Sequence, residues 1–200
     1  MLRFFGGPEM IVILQTPFRP SSHVHRKHTL IHAEFPIEQT LRSEDAETQQ
    51  LLMQEPWSRE RGPEESLFVA DYDGLRLLGV SEGALDTAVE PLRHRFGDRL
   101  LVDPPSVRYV FGTPTLEPYM SVVINGPVCS LLVVQMDFLE RKGRIKRLVQ
   151  SGHFVLEGEA PLASLLGYQR WVRDLAEPEP CVSIQLSRYL PIDDDGPRAA

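Results

Sequence analysis

Cysteine is scarce in this chain: Cys129 and Cys181 are the only two in 200 residues. Two are too few for the disulfide framework of a small secreted domain. Long apolar runs are missing too, and nothing approaches the ~20 residues that a membrane-spanning helix requires. The first residues include one apolar run, 10–14, but Pro8 and Glu9 interrupt what precedes it and no small-residue cleavage site follows, which argues against a signal peptide. Cations are outnumbered, 21 Lys and Arg against 28 Asp and Glu, and the net charge of −7 argues against non-specific binding to nucleic acid, DNA included, whose affinity comes mostly from neutralising phosphates, though it leaves room for a local basic patch. There is no Gly-x4-Gly-Lys-Ser/Thr run to cradle phosphates, and Lys27 follows a Pro/His segment. The nucleophile elbow Gly-x-Ser-x-Gly is likewise absent. These absences lead us to expect a cytoplasmic, non-enzymatic protein with no membrane segment, no cofactor and no bound metal.

What is present is ordinary globular material. The apolar share of 42% and the charged share of 24% suit one large or two small domains with a core that needs no staple. Residues 1–28 read as a strand and an irregular, Pro- and Ser-rich linker. Alternation predicts a strand over 29–37. Ser43, followed by Glu44 and Asp45, predicts a capped helix start, and Pro56 a helix stop. A charged loop, 59–65, follows. Strands are expected at 66–71 and 75–80, joined through Asp73-Gly74, a strong hairpin signal. Leu85, Ala88, Val89, Leu92 and Phe96 form one helical face, with Gly97 placed for a C-terminal cap and Pro91 as an internal kink. A last strand, at 100–103 and 107–110, is interrupted at Pro104-Pro105.

The same order then repeats: strand 119–124, helix 128–140, strands 144–150 and 154–158, helix 162–175, strand 182–189. Two β-α-β-β-α-β units are the split βαβ motif. The predicted class is α+β, two ferredoxin-like domains in tandem, at 29–111 and 116–190, with an acidic, disordered tail at 191–200.

Several clusters carry chemistry in principle. Arg141, Lys142, Arg144, Lys146 and Arg147 put five cations into seven residues around the turn at Gly143, a set able to meet RNA phosphates or simply to serve as a solvated helix end. His23, His25, His28 and His32 have spacing open to a transition metal, but no Cys or paired carboxylate lies nearby, and an exposed strand edge is the plainer reading. Asp71-Tyr72-Asp73-Gly74 begins like a calcium loop without its distant Glu, and reads as a turn. Asp193–Asp195 read as solvated tail, and Trp57 and Trp171 as packing residues. If the last strand pairs antiparallel with the first strand of its unit, Cys129 and Cys181 come close together as two reduced thiols.

Four segments of the second half carry a family resemblance. They are Leu-Glu-Pro-Tyr-Met-Ser-Val (116–122), Leu-Glu-Arg-Lys-Gly-Arg-Ile (139–145), Gly-Glu-Ala-Pro-Leu-Ala-Ser-Leu-Leu-Gly-Tyr (158–168) and Ser-Arg-Tyr-Leu (187–190). In that order they resemble the C-terminal domain of translational GTPases of the elongation factor G type. The Leu-Glu-Pro-Tyr opening and the Cys near the last strand resemble the tetracycline-resistance ribosome-protection branch in particular. In the first half, 78–85, 91–97 and 105–109 resemble the third domain of elongation factor G. The resemblance implies a chain made of the third and fifth domains without the GTPase, barrel and tip domains. Its implied partner is the ribosome, through ribosomal RNA or protein, or a GTPase on a separate chain. Departures from the pattern point the other way. The family's Pro-x-x-Tyr-x-Gly at the first helix is here Pro127-Val128-Cys129-Ser130-Leu131-Leu132. Its basic loop before the last strand is here the acidic Ala176-Glu177-Pro178-Glu179-Pro180, ill suited to a polyanionic ribosome. A stand-alone interaction or regulatory module that has lost the ribosome is therefore the alternative reading.

Overall fold

A computed structural model describes residues 33–54, 65–71 and 74–192 of the chain, and these fall within one compact unit. The strand and linker expected at 1–28, the His23–His32 series, Trp57, most of the charged loop, the tip of the Asp73-Gly74 hairpin and the tail from 193 lie outside the described residues.

The first half runs β1 (Ile37–Arg42), α1 (Ala46–Gln54), β2 (Ser66–Asp71), β3 (Gly74–Gly79), α2 (Glu82–Phe96), β4 (Leu101–Val102) and β5 (Ser106–Val107). Its sheet has the order β2-β3-β1-β4, with β5 also on β1, all antiparallel. This is the split βαβ arrangement, with the last strand broken at Pro104-Pro105 as the sequence predicts. Of the strand predicted over 29–37, positions 29–32 lie outside the described residues, 33–36 are turn and irregular chain, and β1 begins at Ile37. Pro36 has no N–H to give to a ladder, so pairing starts after it. Ile37, Gln39 and Leu41 then face inward. The cap of α1 also shifts. Asp45, rather than Ser43, accepts from the Thr48 N–H at 2.9 Å, while Ser43 Oγ accepts from the Asp45 N–H. The predicted face of α2 is buried on the sheet, Leu85, Val89 and Leu92 almost completely. Ser81 caps its start by accepting from the Ala84 N–H at 3.1 Å. The helix continues through Pro91, which lies on its exposed side, and ends at Gly97 with φ +56.

The second half runs β6 (Leu116–Pro127), α3 (Leu131–Glu140), β7 (Arg144–Ser151), β8 (His153–Pro161), α4 (Tyr168–Arg173) and β9 (Cys181–Pro191), in an antiparallel sheet of order β7-β8-β6-β9. Both halves thus have the predicted ferredoxin-like order. β6 is twice as long as predicted and is paired along its length with β8 on one side and β9 on the other. One expectation fails in part. The helix predicted over 162–175 is a 3₁₀ turn at 162–164, a left-handed Gly167 with φ +73, and only then α4. The apolar pattern is nevertheless obeyed: Leu162, Leu165 and Val172 are buried. Burial fixed those positions, while the glycine decided where the helix could begin.

Phe138 of α3 is fully buried where two glycines make room for it. A Cβ on Gly158 would lie 2.6 Å from the Phe138 ring, and one on Gly143 2.4 Å from the Phe138 carbonyl oxygen. The ring therefore sits on bare β8 backbone. Gly158→Ala should destabilise the fold by about 1–3 kcal/mol, the usual cost of overpacking a filled core. Urea denaturation of the two proteins measures this, and an unchanged midpoint would contradict the packing.

Candidate nucleic-acid interface

The five cations singled out in the sequence do not act as one patch. Arg141 caps the end of α3 and turns inward. Its Nε donates to Asp137 Oδ2 at 2.7 Å and one Nη to the Ser164 carbonyl at 2.9 Å. Its guanidinium lies 5.0 Å from the Tyr168 ring centre and 5.8 Å from that of Trp171, two rings that stack at 5.6 Å. Such cation–π contacts strengthen when partly desolvated. Arg141 thus bolts α3 to α4, and Trp171 is a packing residue, as expected. Burial pushes the Tyr168 phenol well above its ordinary value.

Lys146 and Arg147 sit on β7 and are paired with acids of β8. Lys146 Nζ is 2.6 Å from Glu159 Oε1, and Arg147 Nη1 is 3.3 Å from Glu157 Oε1. Lys142 and Arg144, both exposed, have no side-chain partner among the described residues. Lys142 occupies the turn at φ +62. β7 is an edge strand and is exposed along nearly its whole length. Its cations therefore reach solvent beside the turn.

A residue the sequence reading passed over organises this surface. Glu159 is only 4% exposed, so its charge must be compensated. Besides Lys146, it accepts from Ser187 Oγ at 2.9 Å and from two Arg188 Nη atoms at 3.2 and 2.7 Å. Both sheet irregularities serve this carboxylate. The register slips between Ile145 and Arg147 on β7, leaving Lys146 as the extra residue, and the β9 partners of Tyr119 and Met120 skip Ser187. A bulge re-aims the side chain it carries, and here each bulged residue meets Glu159. The only sequence signal was the Glu157-Gly158-Glu159 run that interrupts the apolar stretch of this strand.

The segments that carried the resemblance meet in space. Arg141 of 139–145 binds Ser164 and Tyr168 of 158–168. Glu159 binds Ser187 and Arg188 of 187–190, and Pro118 of the opening pairs with Tyr189. Cys181 pairs with Asn125 at the start of β9, as the predicted strand pairing requires, and both it and Cys129 are exposed free thiols. Asp71 pairs with Gly74 across the hairpin, in keeping with the turn reading. No group of three or more metal-ligating side chains occurs among the described residues, and no described helix is long and apolar enough to cross a membrane.

The geometry defines a ferredoxin-like domain with one basic, solvent-facing sheet edge. Residues 115–199 match the family model described as elongation factor G C-terminus, so this part of the chain is similar to that translation-factor domain. No curated protein matches the chain.

Neutralising Glu159 should expose its role. The Lys146 hydrogen bond, then Ser187 and the Arg188 charge, hold its carboxyl below the ordinary 4.5 despite burial. A carboxylate favoured by the fold stabilises it above the unfolded-state value and stops doing so as pH falls through the folded-state value. The stability gap between wild type and Glu159→Gln should therefore be full at neutral pH and close on acidification below 4.5. Denaturation midpoints across a pH series test this, and a gap that widens in acid would contradict it.

Proposed function

We propose that this chain is a non-enzymatic, translation-factor-like protein that binds the ribosome through RNA phosphates at the α3–β7 turn. The observation that carries the reading is the conjunction of an elongation factor G C-terminal match with unpaired cations at one exposed sheet edge in an acidic chain. Lys142 and Arg144 are the direct phosphate contacts. Arg147 and Lys146 add charge while tied to acids, and Arg141 holds the turn in place. A guanidinium offers a fork to phosphate oxygens, and each contact made releases counterions.

A second reading keeps the fold and exchanges RNA for a protein partner, such as a GTPase on a separate chain. It is favoured by α3, where Leu132, Val133, Met136 and Leu139 are each at least half exposed. Such a stripe on one helix is the usual mark of a protein-binding face. The exposed acids Glu177 and Glu179, on the loop before β9, favour it too.

Sedimentation with ribosomes at several salt concentrations separates the two. Under the first reading, Lys142→Glu with Arg144→Glu weakens binding, and the slope of log K against log salt falls by about one unit per lost phosphate contact. Binding that ignores salt and these changes, but is lost with Met136→Asp, supports the second reading. No binding by the wild type removes the first.

A further inference from the structure

A cavity of about 330 Å³ lies where the two halves meet, between α2 and the turn that leads into α4. This volume is at the lower end of ordinary small-molecule sites. Three arginines line it from both sides of the joint: Arg93 on α2, and Arg170 and Arg173 on α4. Arg170 is 3.8 Å from Asp86, a loose pair. The guanidiniums of Arg93 and Arg173 have no partner among the described residues. The second acid of the cavity, Glu82, is already occupied: both of its oxygens accept from the Gly167 N–H at 3.0 Å. Burial also pushes its carboxyl above the ordinary value.

Gln39 forms the buried wall. It is 6% exposed, its Nε2 donates to the Asp103 carbonyl at 2.7 Å, and its Oε1 is buried with no partner. That oxygen is closed off from the cavity as well as from solvent, so the polar groups offered to a ligand are those of the arginines. The site thus offers two uncommitted cations. Two uncommitted cations match a phosphate monoester, which carries about −1.5 to −2 at pH 7, better than they match a single carboxylate.

We infer that this joint binds a small phosphate monoester of the size of a mononucleotide, with its phosphate between Arg93 and Arg173. Occupancy ties α2 to α4 and so couples the two halves. The cavity shares no residue with the basic edge, and the inference stands whether or not the ribosome is the partner.

The test uses the full chain without ribosomes, with a nucleoside 5′-monophosphate, its parent nucleoside and a dinucleoside monophosphate as probes. Calorimetry and thermal melting should show saturable binding and a raised Tm with the monoester alone. Arg93→Gln and Arg173→Gln should each lower its affinity about tenfold or more, the scale of a lost charged hydrogen bond. Arg93→Lys should lower it less. Circular dichroism checks that each variant is folded. Absence of saturable binding by the monoester, equal binding by the parent nucleoside or the diester, or undiminished binding by folded Arg93→Gln and Arg173→Gln, overturns the inference.

Discussion

The second half of this chain is built on one strand that must be central. β6 is paired along its length on both sides, with β8 through Tyr119–Pro127 and with β9 through Leu116–Asn125. A strand with neighbours on both edges and a helix layer on one face has little freedom of register, because a slip of one residue would turn Met120, Val122 and Ile124 out of the core. Its two partners are separated by a turn and α4, so their placement is a consequence of β6 rather than of their own local sequence. The same strand begins where the first half ends. Val110 and Leu116 exchange backbone hydrogen bonds at 3.0 and 2.9 Å, closing a short loop between the two units.

From that constraint the basic edge follows. Once β8 is fixed beside β6, Glu159 is buried in the sheet, and the neighbouring strands must bring cations to it. Both do so by bulging, at Lys146 and at Ser187. Burial of a charge is tolerable only with such compensation. The result divides the cations of the turn by duty: those beside β8 are committed to acids, Arg141 to the aromatic pair, and those at the turn itself to solvent. A surface able to meet phosphate is thus what remains after the fold has taken its share.

The architecture was legible in the sequence because it rests on local signals. The apolar face of α2, the hairpin at Gly74 and the order of the elements repeated in the second half all need only neighbours a few residues away. The misplacements are equally physical. The alternation of Thr29–Ile37 predicts a strand, but among the described residues Pro36 bars the ladder and β1 begins only at Ile37. The apolar side made by Leu162, Leu165, Leu166, Val172 and Leu175 predicts one helix over 162–175, and Leu162, Leu165 and Val172 are indeed buried, but Gly167 in the left-handed region splits it. Burial pattern and hydrogen-bond pattern usually coincide, and here they part.

For the candidate site the sequence determined less. It supplied the cations, the acidic background and the family-like segments, all properties of residue identity and order. It could not say that Arg141 belongs to Tyr168 and Lys146 to Glu159, nor that Arg93 and Arg173 share a cavity with Gln39. These partners are 13 or more positions apart, and only the register of β7 on β8 and the seating of one half against the other bring them together. Charge is written in the chain, but whether a charge is spent or free is set by distance in space, and that is decided only when the sheets form.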